Sequence, residues 1–228
     1  FCLQAATVVG SPCRATALSS APRLVIRLNA NPYDFSASPA RAAVNLTRQE
    51  VSPWPSDRFL CPRFTGCSNR VRLSTAHKGR INAMAMSWHT MMEFEPPLVG
   101  CVVSSRDFSF TALKATRECV LNIPSLELAQ KVVDCGNSSG RSVDKFTAFG
   151  LTPAPASLVG APLIAECHAN LECKVVDTRF VNRYNFFVLE VVKAWTDPEC
   201  KDPRTLHHRG WGEFAVAGSV LRLPSAMK

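Results

Sequence analysis

A short polar stretch at 104–106 has the composition of an anion site. Ser104, Ser105 and Arg106 follow a run of apolar residues and precede a segment with helical spacing. The first turn of a helix leaves backbone N–H groups free and carries a partial positive charge. Two hydroxyls and a guanidinium at that place suit a phosphate group, although the GxxxxGK pattern of a P-loop is absent. The alternative interpretation is that these residues only cap the helix.

A second group of reactive side chains occupies 87–92, with the sequence Ser-Trp-His-Thr-Met-Met. An aromatic ring, an imidazole, two hydroxyls and two thioethers suit the rim of a flat aromatic ligand. The alternative is a core strand that holds a satisfied histidine. His207 and its neighbour His208 are candidate ligands or proton donors, or residues of a solvated loop. His89 and His207 are therefore the candidates for a catalytic role.

The ten cysteines include no pair with CxxC spacing, which argues against a zinc ribbon or a redox dithiol. Cys167 and Cys173 are six residues apart and are expected to share a strand face beside His168. Together with His207 they allow the hypothesis of a structural metal site, but buried thiols that pack as small apolar groups are the favoured alternative. We therefore predict no metal. The cysteine usage and the lack of a basic segment at the start predict a reducing, cytoplasmic location.

Composition and charge exclude several classes of protein. Hydrophobic residues make up 46% of the 228 residues and charged residues 19%, which is typical of a globular chain and not of a disordered or collagen-like one. No apolar run is long enough for a membrane-spanning helix, so no membrane partner is expected. The net charge is +8, but residues 71–228 are nearly balanced, with 18 basic and 15 acidic residues. Without a basic stripe interleaved with aromatics, we expect no nucleic-acid partner.

Residues 1–70 differ from the rest of the chain. They contain eight Arg, seven Pro and no Lys, His or Met. No helical or strand period persists there, so we predict an irregular extension. An alternative hypothesis is that this stretch is non-native sequence, a GC-rich coding region translated in the wrong frame. Residues 71–228 form the predicted domain.

The later residues predict strands and two short helices. Alternation over 81–90 indicates a long strand of a hairpin, and the apolar run 98–103 a buried one. Apolar spacing predicts a helix over 108–117, capped by Asp107 or Ser109, and a second helix over 126–134. Further strands are predicted at 119–123, 165–181 and 185–196, with a final hairpin over 213–223 that turns at Gly218. We therefore predict a mainly β fold, an antiparallel barrel of about six or seven strands.

Several separated motifs resemble one family, the flavin reductase-like, FMN-binding split-barrel proteins, and within it the flavoredoxin-like branch. In chain order they are GRINAMAMSW at 79–88, PPL at 96–98, SRDFSF at 105–110, CVLNIP at 119–124, SGRSVDKF at 139–146 and APLIAEC at 161–167. The resemblance covers about residues 73–228. Residues 1–70 match nothing in the family, and residues 67–72 depart from its usual first barrel strand.

The resemblance implies a homodimer of split barrels that binds FMN near the subunit interface. By position, the residues that would line the flavin are Ser87, Trp88, His89 and Thr90. Those that would hold its phosphate are Ser105, Arg106 and Ser109, with Lys145 as a second cation.

The implied activity is that of an FMN-dependent oxidoreductase. Electrons would pass from NADH, NADPH or a redox partner through FMN to a small-molecule or protein acceptor. Many NADH-using members carry Gly-Asp-His before the last long strand, where this chain has Asn182, Arg183 and Tyr184. The alternative is therefore a non-enzymatic FMN-binding electron carrier that a partner protein reduces.

Overall fold

The computed structural model describes residues 49–51, 71–200, 203–219, 221 and 223–224. Within these ranges it contains twelve strands and four α-helices. The strands are β1 Gln49–Val51, β2 Val71–His77, β3 Arg80–Met86, β4 His89–Glu93, β5 Leu98–Val102, β6 Glu118–Ile123, β7 Pro153–Ala154, β8 Leu163–Ile164, β9 Ala169–Asp177, β10 Phe186–Thr196, β11 Leu206–Gly210 and β12 Glu213–Val216. The helices are α1 Phe108–Thr116, α2 Ala129–Asn137, α3 Lys145–Ala148 and α4 Val181–Tyr184, and a 3₁₀ turn at Leu126–Leu128 precedes α2.

Seven strands form one antiparallel sheet in the order β3-β2-β6-β9-β10-β5-β4, and β1 pairs with the end of β10. The two edge strands, β3 and β4, are joined by only Ser87 and Trp88. Three Cα steps span roughly 10 Å at most, much less than the width of seven strands spaced by about 4.8 Å. The sheet must therefore curl until its edges approach each other. This is the predicted split barrel, and the mainly β fold class is confirmed.

Apolar side chains of alternate strand positions fill the inside of the curled sheet. Leu73, Leu121 and Leu171 lie side by side on β2, β6 and β9, and all are fully buried in one cluster with Phe187 and Leu189 of β10. Phe110 of α1 packs against this cluster and meets the Phe187 ring edge-on at 5.6 Å. The alternation that predicted strands is thus the alternation between barrel interior and outer face.

The outer face of the sheet carries two smaller apolar clusters. One lies between β3 and the helices and includes Ile81, Ala83 and Cys135; the other includes Val120 and Leu163. Buried polar residues lie on this same face. Glu172 of β9 is fully buried and accepts hydrogen bonds from the backbone N–H groups of Ser157 and Leu158 (2.9 and 2.6 Å) and from Trp195 Nε1 (2.7 Å). Its carboxylate therefore holds the loop at 157–158 against the sheet.

Some element boundaries differ from the predicted ones. The predicted strand 81–90 is broken at Ser87 and Trp88, because the chain there passes from one edge of the sheet to the other. The strand predicted over 165–181 is shorter and ends before α4, which the sequence analysis missed. The predicted hairpin turn at Gly218 is wrong. The last hairpin pairs β11 with β12 and turns at Trp211 and Gly212, which both have positive φ.

Of residues 1–70, the structure describes only β1. Gln49–Val51 pairs antiparallel with Ala194–Thr196 at the end of β10. The predictions for residues 1–48 and 52–70, including the frame hypothesis, lie outside the described residues. Among the helices that are described, none has the length and apolar character required to cross a membrane.

Candidate functional site

The turn between β5 and α1 is held by its own side chains. Asp107 Oδ2 accepts a hydrogen bond from the Ser104 backbone N–H (3.2 Å), and Ser104 Oγ accepts one from the N–H of Arg106 (3.2 Å). Asp107 occupies the predicted N-cap position, but its side chain makes no capping bond to the helix. The carboxylate instead fixes the turn, and the N-terminus of α1 is left without a side-chain cap.

Ser109 connects α1 to the barrel. Its hydroxyl is fully buried and accepts hydrogen bonds from Asn82 Nδ2 (2.8 Å) and Thr75 Oγ1 (3.4 Å). These two partners come from β3 and β2. The first turn of the helix is therefore held in a fixed position against β2 and β3.

The loop after α2 closes against the same place. Arg80 Nη2 donates to the Gly140 carbonyl (2.6 Å), and the Arg80 guanidinium lies 4.8 Å from the centre of the Phe108 ring. A Cβ on Gly140 would collide with Asn82 Oδ1 and approach Phe108 Cδ1 at 2.7 Å. Only glycine fits this approach. The sequence analysis singled out neither Gly140 nor Arg80, although the Ser-Gly-Arg-Ser pattern around Gly140 was a turn signal.

Lys145 places a second cation in the same region. Its side chain is only 4% exposed, and Nζ donates to the Cys135 carbonyl at the end of α2 (2.7 Å). Burial lowers the pKa of Lys145, and the nearby Cys135 and Asp107 partly oppose that shift. Asp144 accepts hydrogen bonds from the backbone of Phe146 and Thr147 and thereby starts the short helix that carries Lys145.

These elements enclose a cavity of about 300 Å³. Its lining includes Asn82, Arg106, Ser109, Cys135, Gly140 and Lys145. A second cavity of about 290 Å³ shares Ala85, Gly136 and Asn137 with the first and is also lined by Ser87, Val133 and Phe214. Together the two adjoining cavities have the size of a small-molecule site. Cations and an uncapped helix N-terminus line the first, and apolar side chains contribute to the second.

The structure brings together four of the predicted cofactor residues. Arg106, Ser109 and Lys145 line the first cavity and Ser87 lines the second. Ser105 is exposed in the turn beside Arg106.

The remaining predicted residues do not line either of these two cavities. Trp88 is 72% exposed, and the hydroxyl of the exposed Thr90 donates to the Met91 carbonyl (3.2 Å). His89 is 7% exposed, and neither ring nitrogen has a hydrogen-bond partner among the residues that the structure describes. Burial lowers the pKa of His89 from 6.5 to about 4, so the ring is neutral at pH 7.

His207 lies on a strand, and not in the solvated loop that was one of the alternatives predicted for it. It lies on β11, where its Nε2 is 3.3 Å from Thr205 Oγ1. The next residue, His208, pairs with Phe214 of β12, with ring centres 5.5 Å apart. Because Phe214 lines the second cavity, this hairpin forms one end of the candidate site.

The hypothesis of a metal site is wrong. In the part of the chain that the structure describes, no three His, Cys, Asp or Glu side chains are placed to hold a metal ion. Cys167 and Cys173 do not share a strand face, because β9 begins only at Ala169. Cys167 packs between the sheet and the helices, whereas Cys173 lies inside the barrel. Both are buried thiols, as the alternative interpretation predicted.

Comparison with known sequences identifies one family. The family profile described as flavin reductase like domain matches residues 64–214. An uncharacterized protein of Pyrococcus abyssi is 31% identical over 149 residues, which cover 62% of this chain and 86% of that protein.

Solved structures with the same fold agree with the profile. An FMN-binding domain of a flavin reductases-like enzyme from Shewanella baltica superposes with a TM-score of 0.70 at 21% identity, over 78% of this chain and 97% of that one. A flavoredoxin from Methanosarcina acetivorans superposes with a TM-score of 0.60 at 25% identity, over 68% of this chain and 88% of that one.

Proposed function

The chain belongs to the flavin reductase-like domain family, and from this membership we propose that it binds FMN and works as an FMN-dependent oxidoreductase. Electrons would come from NADH, NADPH or a redox partner and pass to a small-molecule or protein acceptor. The Shewanella baltica neighbour is described as FMN-binding, and the Methanosarcina acetivorans neighbour as a flavoredoxin.

The observation that carries this proposal is the pair of adjoining cavities with cations at one end. A flavin mononucleotide has a doubly negative phosphate and a flat, largely apolar ring system. Arg106, Lys145 and the N-terminus of α1 suit the phosphate. The second cavity, lined by Val133 and Phe214, suits the ring. Gly140 adds no side chain to the lining of the first cavity. A Cβ at this position would displace Asn82 or Phe108.

Bound FMN supplies redox chemistry that no amino-acid side chain offers. The chain itself needs to bind, orient and surround the cofactor, so it requires no side-chain nucleophile. Cys135, which lines the first cavity, is suited to this passive role, because burial raises the pKa of its thiol and keeps it protonated. Lys145 and Arg106 provide the positive charge, and Asn82 and Ser109 hold the wall that faces the cofactor.

The absorption spectrum of the purified protein tests this proposal. We expect a yellow protein, or a colourless one that becomes yellow with added FMN and keeps the colour through gel filtration. Protein that remains colourless after incubation with FMN contradicts the proposal.

A non-enzymatic electron carrier is the second candidate, and the surface around α4 favours it. Lys114 Nζ donates to Asn182 Oδ1 (3.1 Å) and thereby links α1 to α4. Arg117 and Arg183 are exposed nearby, and the Arg183 guanidinium lies 5.2 Å from the centre of the half-exposed Tyr184 ring. A basic surface with an exposed aromatic ring suits an acidic redox protein.

Anaerobic mixing with NADH and NADPH separates the two candidates. Rapid loss of the flavin band near 450 nm supports the oxidoreductase. Bleaching by dithionite alone supports the carrier.

We also propose that the protein forms a homodimer through the edge strand β4. Trp88, Met92 and Phe94 are exposed large apolar side chains, and they lie on or beside this strand. Light scattering of the purified protein tests the dimer, and a Met92→Lys variant, with a charge on this surface, is expected to be monomeric.

Replacing Arg106 with alanine is expected to weaken FMN binding by roughly ten- to a hundredfold. The substitution removes a charge-assisted hydrogen bond to the phosphate, and such bonds contribute about 1.5–3 kcal/mol each. Fluorescence titration of the apoprotein measures the effect. Riboflavin, which has no phosphate, is expected to bind parent and variant equally.

Lys114→Ala is the matched control, because it removes one cation from the other end of the same helix. Unchanged FMN affinity in a folded Arg106→Ala protein would place the phosphate site elsewhere, nearer Lys145.

A further inference from the structure

Arg72 of β2 is a buried cation that has no counter-charge among the described residues. Its side chain has no exposed surface, and Nη2 donates a hydrogen bond to the Leu128 carbonyl (3.3 Å). Within the described part of the chain, Nε and Nη1 have no partner. Among the described residues, the ion pair that the structure contains is Arg179 with Asp177, so no described carboxylate neutralises Arg72.

Such an arrangement is costly for the folded state. A buried charge without a partner destabilises a protein by several kcal/mol in typical cases, and buried charges are almost always paired. Its cross-strand partners, Ala85 and Asn122, carry no charge, and its hydrogen bond to the Leu128 carbonyl does not neutralise it. The charge therefore points to a role that an apolar residue could not perform.

The sheet register places Arg72 directly behind the candidate site. Arg72 is the cross-strand partner of Ala85 on β3, and paired side chains on one face lie about 5 Å apart. Ala85 lines both cavities. On the helix side, the charge of Arg72 acts on the Cys135 thiol, which lines the first cavity. Arg72 therefore lies one strand behind the wall that both cavities share, and its charge reaches a side chain of the first cavity.

We propose that Arg72 is an electrostatic element of the cofactor site, which favours the negatively charged reduced form of the bound flavin over its neutral oxidised ring. This inference rests on the proposed FMN binding. Two electrons and one proton delivered to a flavin leave one net negative charge on the ring, and a second proton removes it. A fixed positive charge behind the cavity wall stabilises the anion without touching it, so Arg72 acts as a positioning charge and not as a ligand.

The other two cations of the site are less suited to this role. Arg106 is exposed, so water and salt screen its charge. Lys145 Nζ donates a hydrogen bond to the Cys135 carbonyl, and burial lowers its pKa. Arg72 has no exposed surface, so water and salt do not screen its charge. For a guanidinium and a flavin anion about 10 Å apart, with an effective dielectric constant near 20, the attraction changes the ratio of anionic to neutral flavin by roughly tenfold.

The midpoint potential of the FMN-loaded protein tests the inference. Arg72→Met removes the charge at similar length, and Ser74→Ala changes a neutral buried residue on the same strand face. We expect Arg72→Met to weaken the binding of reduced FMN about tenfold more than that of oxidised FMN, which lowers the two-electron potential by about 30 mV. Ser74→Ala is expected to keep the parent potential.

Two results would overturn the inference: an unchanged potential in Arg72→Met, or an equal shift in Ser74→Ala. Arg72→Gln provides a second neutral variant if the methionine protein does not fold. A parent protein that binds no FMN would refute the proposed function, and the inference with it. FMN binding with an unshifted potential in Arg72→Met would refute the inference alone.

Discussion

Replacing Glu172 with alanine is expected to lower the free energy of unfolding by about 3–5 kcal/mol. The carboxylate is fully buried and accepts three hydrogen bonds, from Ser157, Leu158 and Trp195. Alanine would remove three hydrogen bonds to a charged group, each of which contributes about 1.5–3 kcal/mol, and water can replace part of this because Ser157 and Leu158 are exposed. Urea unfolding followed by circular dichroism measures the change, which corresponds to roughly 10 °C in melting temperature for a domain of this size.

Glu118 provides the matched control for this experiment. It accepts one hydrogen bond from Gly160 of the same loop, 2.8 Å from its Oε2, at a partly exposed position. Glu118→Ala is expected to cost about 1 kcal/mol or less, since a single exposed hydrogen bond contributes little. If the two variants lose the same stability, the three bonds to Glu172 do not determine how this loop is held.

The second large effect is a loss of stability at acidic pH that depends on His89. Burial lowers the pKa of this histidine from 6.5 to about 4, so between these values the unfolded chain binds a proton that the folded protein does not. Stability is therefore complete above pH 6.5 and falls as the pH drops towards 4. A depression of this size is worth about 3 kcal/mol at the acid end.

The difference between the parent and His89→Leu isolates this contribution, because carboxylates affect both proteins alike. Unfolding free energies measured from pH 7.5 to 4.5 are expected to fall more steeply for the parent. His77→Leu, at the half-buried end of β2, is expected to keep the steep dependence. Parallel curves for the parent and His89→Leu would show that the ring is protonated without penalty.

Local patterns predicted most of the barrel. Alternation and apolar runs located β5, β6 and β10, and the spacing of Phe108, Thr111, Ala112 and Ala115 located α1. The motif resemblance from about residue 73 onward is confirmed by the family profile, which matches residues 64–214; the prediction that residues 1–70 match nothing in the family is wrong for 64–70. These features were predictable because each depends on residues that are close in sequence.

The features that were missed depend on contacts between distant segments. Nothing in the alternation of 81–90 marks Ser87 as the place where the strand must break, because that break follows from the curling of the whole sheet. The burial of Arg72 depends on α2, which covers it from more than 50 residues away. Gly140 is required because Asn82 and Phe108 meet it. Arg106, Ser109, Lys145 and Ser87 line the two cavities, and their role in binding a cofactor stays a prediction, while the packing around them could not be predicted.

The order of the strands also determines how the protein must fold. The pairs formed by close neighbours in sequence, β2 with β3 and β4 with β5, lie at opposite edges of the finished sheet. Among the other strand pairs of the seven-strand order, only β9 with β10 joins neighbouring segments. The rest join segments that are distant in sequence; Phe186, for example, is paired with Val102. Loops of that length must close before their contacts stabilise the fold, so a high contact order and slow folding follow.

The two hairpins that form early would each keep an unpaired edge until the late segment containing β9 and β10 is inserted between them. During that interval the exposed edges are open to pairing with other chains, and recombinant yield will depend more on temperature and dilution during this step than on the stability of the final barrel.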